Sequence, residues 1–269
     1  MPMEELYVFG TGNAQATHCY NTCFAIKDGD EYFMVDAGGG NGILRILEDM
    51  DVDLCHIHSI FVTHEHTDHV LGIVWMVRMV AAAMKKGKYK GELQIYCHQG
   101  LVDTISTICR LTIQGKFYKM IGSRIFLVPV EDGETVHILD HDVTFFDILS
   151  TKARQFGFTT ILKNGRRFTC AGDEPYNAEC RPYVEGSDWL LHEAFCLYRD
   201  REIFEPYEKH HSTVKEACEL AEDLSIPNLV LWHTEDKHLA ERKALYTAEG
   251  REYYRGNLLV PDDGEILPL

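Results

Sequence analysis

Short apolar runs closed by turn residues fill the first 63 positions: ELYVFG, TCFAIK, EYFMVDAGGG and SIFVT. Each has the length and the β-branched or aromatic content of a strand, and one short helix, around Ile43 to Asp49, interrupts them. Apolar residues then recur at three- and four-residue steps from about Asp68 to Lys85 and from about Leu101 to Thr112, which predicts two helices around a strand at LQIYC. From Arg124 to Cys170 strand patterns return as RIFLVPV, TVHIL, VTFFDIL, FGFTTIL and RRFTCAG. The Asn-Gly of KNGR marks a hairpin between the last two. The rest alternates strand DWLLH, helix TVKEACELAEDL and strand NLVLWH, with a final helix before the C-terminal tail. Two strand-rich halves, each with helices, predict an α/β fold whose two sheets pack face to face with helices outside, a four-layer αββα sandwich. No linker, charge block or repeat divides the sequence, so a single domain over 1–269 is expected.

The most apolar window, Val70 to Met84, contains Arg78 and falls short of the roughly 20 residues of a membrane span. It reads as a buried helix, and no membrane partner is expected. The N-terminal MPMEELYVFG carries acids where a secretory signal carries a basic flank, so no export is expected. At 45% hydrophobic and 25% charged residues the composition is that of a folded globular protein, which removes disordered, collagen-like and coiled-coil readings. A net charge of −16 disfavours polyanions at long range, and DNA is not an expected partner. The run Lys85, Lys86, Lys88 and Lys90 reads as a solvated helix end rather than a phosphate grip. Nine cysteines without a CxxC pair suggest neither a disulfide scaffold nor a zinc knuckle; a cytoplasmic, reducing location fits.

The chemistry concentrates in one segment. A buried strand at Ser59 to Thr63 runs directly into His64, His66, Asp68 and His69 before a helix begins. Imidazole and carboxylate are the ligands that a divalent ion of zinc type accepts. Alternate spacing in an extended segment puts His64 and His66 on one side, and Asp68 with His69 at the turn into the helix faces an adjacent position. A single His or Asp after a strand is ordinarily a cap or turn residue, but four in six positions is a ligand set.

These residues match the HxHxDH signature in full, and the sequence resembles the metallo-β-lactamase superfamily. The resemblance spans nearly the whole chain. It includes GTGNA and VDAGGG as opening hairpins, Asp173 in CAGDEPY as a metal-bridging aspartate, and His233 in LVLWHT as the last ligand. Within the superfamily, Leu191 to Phe195 (LHEAF) and His211-Ser-Thr213 resemble the HEAT and HST segments of the ribonuclease Z and phosphodiesterase branch. That resemblance implies catalytic roles for Asp68, His211 and Glu193, with His211 as proton donor to the leaving group and Glu193 as its partner. An imidazole held by a carboxylate is suited to that task near neutral pH. The implied metal ligands are His64, His66, Asp68, His69, Asp173 and His233. The implied cofactor is a divalent metal, zinc first with manganese or iron as alternatives, up to two per chain. By analogy with similar enzymes, a homodimer is expected.

Two departures qualify the picture. The family's third metal histidine lies six residues before the glycine of a Gly-aromatic pair, and here that position, ahead of Gly157-Phe158, is Thr151. The site of His64 and His66 should therefore hold its ion less tightly, unless a water or a histidine such as His98 or His141 fills the gap. His210 is read only as tuning His211. Second, ribonuclease Z enzymes carry a long tRNA-gripping arm, whereas only 22 positions separate Thr151 from Asp173. The leading reading is a metal-dependent hydrolase similar to ribonuclease Z that cleaves a phosphodiester in a small molecule or short RNA. The alternative keeps the fold with a degenerate site, as a mononuclear metal-binding or regulatory protein. Retention of Asp173, His192, Glu193, His211 and His233 counts against it, because a binding module needs no positioned proton donor. A diiron oxidoreductase would require a flavin domain or electron partner that 269 residues do not hold.

Overall fold

The computed structural model describes residues 4–269. The strands are β1 (Glu5–Gly10), β2 (Cys23–Asp28), β3 (Glu31–Val35), β4 (Ile57–Phe61), β5 (Leu93–Cys97), β6 (Ile125–Pro129) and β7 (Thr135–Ile138). They continue as β8 (His141–Asp147), β9 (Phe156–Ile161), β10 (Arg167–Cys170), β11 (Trp189–Glu193), β12 (Asn228–Trp232), β13 (Asn257–Leu259) and β14 (Ile266–Pro268). The chain divides into two compact units. One comprises the residues up to Gly10, Tyr20–Glu131 and Gly264–Leu269; the other comprises Thr11–Cys19 and Asp132–Asp263.

The first unit is built on a seven-stranded sheet in the order β14-β1-β2-β3-β4-β5-β6. The strands from β14 to β3 pair antiparallel, and β3 to β6 pair parallel. A tight turn joins β2 to β3, while parallel neighbours need crossovers, which α1 (Gly42–Asp49), α2 (Thr67–Lys85), α3 (Gln99–Thr112) and the short α4 (Gly115–Tyr118) supply. Helix α2 is long and apolar enough to cross a membrane by length and composition. Its Val70, Ile73, Met76, Val77 and Val80 instead fill this unit's core with Met34, Ile60, Ile95 and Ile105. Burial of each such side chain stabilises by about 1.5–3 kcal/mol. Close approach of α2 to the loop after β3 requires glycine at position 72, where a Cβ would lie 1.8 Å from the Ala37 carbonyl oxygen.

The second unit holds the other sheet, in the order β13-β12-β11-β10-β9-β8-β7. Here β10 to β13 pair parallel and β7 to β10 antiparallel. Helices α5 (Arg181–Val184), α6 (Arg201–Phe204), α7 (Val214–Asp223) and α8 (Arg242–Gly250) belong to it. Its core gathers Phe146, Leu190, Val214, Ala217, Leu229, Leu231 and Tyr246. Helix α7 starts on a capping box between Thr213 and Glu216.

Two mixed sheets with helices are thus present, as the α/β class requires. The hairpin at KNGR forms, with a three-residue loop rather than a two-residue one. Gly165 N donates to Leu162 O and Leu162 N to Arg166 O, both at 2.8 Å, and only Gly165 has positive φ. Strands β13 and β14 carry no periodic signal of their own and exist by pairing with β12 and β1. All nine cysteines are free thiols, and burial pushes those of Cys97 and Cys109 up to about 12.

Candidate metal centre and proton donor

Within the first unit, the carboxyl ends of the parallel strands β3 and β4 carry the polar groups, the usual place for ligands in such sheets. Asp36 follows β3 in a left-handed conformation, φ 55°. Its carboxylate accepts from Thr63 N at 2.9 Å and Thr63 Oγ1 at 2.8 Å, and lies 2.8 Å from His69 Nδ1. That contact fixes the His69 ring and leaves Nε2 to face Asp68, whose Oδ2 is 3.3 Å away. Beyond β4, His64 Nε2 stands 2.9 Å from His66 Nδ1, and the His64 and His69 rings are 4.2 Å apart. His64, Asp68 and His69 are buried, and His66 is half-buried. Ligand atoms around an ion at 2.0–2.1 Å in tetrahedral geometry are about 3.3 Å apart. The spacing of this donor set fits that requirement, and a divalent metal of zinc type suits its imidazole and carboxylate chemistry.

Within the second unit, the ends of β10, β11 and β12 carry a matching set. Asp173 accepts from Gln155 Nε2 at 2.6 Å, and its Oδ2 is 3.3 Å from His233 Nε2. His233, directly after β12, also has a left-handed backbone, φ 55°. Such a conformation costs about 1–3 kcal/mol for a non-glycine residue and persists where its surroundings over-determine it. Glu193, at the end of β11, has no solvent exposure; it accepts from Ser212 N and lies 3.3 Å from His211 Nδ1. The His211 ring stacks on Phe195 at 4.8 Å and 3°, and its centroid is 5.3 Å from that of His233. A buried imidazole with a carboxylate on one nitrogen keeps the other, Nε2, available for proton transfer.

Each unit therefore assembles its share of the residues singled out above: His64, His66, Asp68 and His69 in one; Asp173, His233, His211 and Glu193 in the other. Asp36 and Gln155 are additions that sequence reasoning missed. The signal for Asp36 was an aspartate directly after a strand, in the run Asp36-Ala37 ahead of three glycines; Gln155 had none. His141 does not serve the position of Thr151. Its Nδ1 is 3.1 Å from Ile161 O, at the end of β9 that pairs with Arg167, whereas Asp173 follows the opposite end of β10. His98 lies against Glu65, with 3.4 Å between Nε2 and Oε2. The imidazole that does meet Thr151 is His210, with Nδ1 3.3 Å from Thr151 Oγ1. Its separation of 59 positions hid it from any local pattern.

Comparison with known proteins follows the same lines. A family model described as Anti-Pycsar protein Apyc1 matches residues 4–252. The ribonuclease Z of Thermococcus sibiricus is 24% identical, with 99% of this chain and 97% of that protein covered. The ribonuclease Z of Halorubrum lacusprofundi is 26% identical over 96% and 94%. Among solved structures, the metallo-beta-lactamase fold protein YhfI from Bacillus subtilis superposes with a TM-score of 0.79 at 17% identity, over 98% of this chain and 99% of that one. The short form of human tRNase Z gives 0.74 at 20% identity, over 98% and 100%. The metallo-β-lactamase fold is thereby shown.

Proposed function

This chain belongs to the family described as Anti-Pycsar protein Apyc1, and we propose that it works as a metal-dependent phosphodiesterase similar to ribonuclease Z, on a small molecule or a short RNA. Relatives named ribonuclease Z match almost end to end. The single observation that carries the reading is His211, held 3.3 Å from the fully buried Glu193 and beside His233. A protein that only stores or senses metal has no use for a buried imidazole poised to give up a proton.

In this reading the residues that would hold divalent metal are His64, His66, Asp68 and His69 of the first unit and Asp173 and His233 of the second. Zinc suits the set, and manganese or iron are accepted by the same donors. When bound, such ions supply a nucleophilic water at neutral pH and positive charge for the non-bridging phosphate oxygens. Asp36 fixes the orientation of His69, and Gln155 that of Asp173. Asp68 would orient the attacking water and accept its proton. His211 would transfer its Nε2 proton to the leaving oxygen as the P–O bond breaks, while Glu193 stabilises the protonated ring beforehand and orients it through Nδ1. Nine free thiols favour cytoplasmic residence.

A second reading, a mononuclear or regulatory protein, draws on Thr151, a neutral hydroxyl where the resemblance expects an imidazole. One experiment separates the two: metal content per chain without chelator, paired with turnover of a bis-aryl phosphodiester with added manganese or zinc. Near two ions with diesterase activity supports the hydrolase. One ion or none, with no activity after reconstitution, supports the regulatory reading.

A further inference from the structure

A cavity of about 390 Å³ opens beside His211, within the unit that carries it. Glu216, Glu219 and Asp223 line it from α7, three carboxylates at spacings that share one helix stripe. Glu216 is engaged, accepting from Thr213 N at 2.9 Å and from the Tyr207 hydroxyl at 2.8 Å. Glu219 has a single ion pair, 3.8 Å from Lys215, and among the described residues Asp223 has none. No lysine or arginine lines the cavity. His192, 1% exposed, also lines it. Its Nδ1 donates to Glu193 O at 2.7 Å, which leaves Nε2 as a buried acceptor without a hydrogen-bond partner. The Tyr176 hydroxyl, also in the lining, has no partner either. Buried polar atoms left unpaired are costly, and a ligand that pairs them removes the penalty.

We infer that this cavity is the leaving-group subsite, and that it takes a leaving alcohol bearing neutral or cationic hydrogen-bond donors and no second phosphate. The inference rests on the phosphodiesterase reading of His211. A general acid must lie within hydrogen-bond reach of the oxygen it protonates, so the group attached to that oxygen occupies space next to His211. The volume suits a ring-sized group. His192 Nε2, Glu219 and Asp223 are acceptors matched to donors, whereas a further phosphate would meet carboxylates in a lining that includes no lysine or arginine.

The test uses the metal-loaded full chain and three methyl aryl phosphodiesters whose leaving phenols carry aminomethyl, hydroxymethyl or carboxymethyl groups. The expected order of kcat/KM is aminomethyl above hydroxymethyl above carboxymethyl, with about fivefold between the extremes. The double variant Glu219→Lys, Asp223→Lys should invert the charged pair, with the carboxymethyl compound turned over faster than the aminomethyl one. The milder Glu219→Gln, Asp223→Asn variant should narrow the order, which keeps the test decisive should the reversal not fold. Hydrolysis of all three with an order that neither variant moves overturns the subsite alone. Absence of hydrolysis of these and of a bis-aryl diester overturns the phosphodiesterase reading as well.

Discussion

Arg242 Nη1 donates to Thr234 Oγ1 at 2.9 Å, one residue beyond His233, from a position with no solvent exposure. The same guanidinium donates to Thr11 Oγ1 at 2.8 Å, Pro261 O at 2.8 Å and Asp262 Oδ1 at 3.0 Å. Three segments distant in sequence thus meet on one fork-shaped donor, a geometry that an ammonium does not reproduce. The Thr234 carbonyl is held in turn by the backbone and side-chain N–H groups of Asn13, both at 3.0 Å. This scaffold keeps His233 in its left-handed backbone. Arg242→Met is expected to lower stability by about 2–4 kcal/mol, because it leaves several buried acceptors unpaired. Arg242→Lys should recover only part of it. Urea unfolding gives the stability, and metal retained after chelator dialysis should fall with it; unchanged retention in a folded Arg242→Met protein would rule out the supporting role.

The His211 and Glu193 pair makes a prediction that depends on the substrate. His211→Ala is expected to reduce kcat for a diester with an alkyl leaving group by about 10²–10⁴-fold. With p-nitrophenolate, stable without a proton, the loss should be far smaller. Glu193→Gln keeps the shape and removes the charge beside Nδ1, so it should give an intermediate loss with the same dependence. Steady-state rates on the two substrates decide the matter, and equal losses on both would mean that His211 is not the acid.

How much of this was legible in the chain follows from the range of each interaction. The HxHxDH run is local, and its placement at the end of β4 follows from the strand and helix patterns on either side of it. The fold class was readable for the same reason. Asp36 and His69 lie 33 positions apart, and Thr151 and His210 lie 59 apart; only folding brings such pairs together. Gly72 looks like any helical glycine until the carbonyl of Ala37 is seen where its Cβ would lie. Strands β13 and β14 are three residues each, too short for an alternation to register.

The contact between Thr151 and His210 bears on metal stoichiometry. Under the proposed two-ion reading, Thr151→His places an imidazole where the resemblance expects one and should raise the affinity of the weaker ion on the order of tenfold. His210→Ala should lower occupancy of the same ion without changing the tighter one. Elemental analysis across a chelator series reads both. If neither substitution alters the ratio of ions per chain, position 151 takes no part in metal binding.

Asp236 gives the clearest pH signature. Burial alone would raise its pKa, but its Oδ2 accepts from Thr17 N at 2.6 Å and His18 N at 2.8 Å, and lies 3.0 Å from His18 Nδ1. Together these bring the carboxyl down from 3.8 to about 2. A carboxyl with a depressed folded-state pKa binds fewer protons folded than unfolded, so its contribution to stability is complete above the unfolded value and is lost as pH falls through the folded one. The stability gap between the wild-type protein and Asp236→Asn should therefore be constant from neutral pH down to about 4 and should close between about 4 and 2. Urea midpoints of both proteins through that range provide the check. A gap that has already closed by about pH 5 would not follow the carboxyl's depressed pKa, and would remove the Asp236 carboxylate as the anchor of the 17–18 loop.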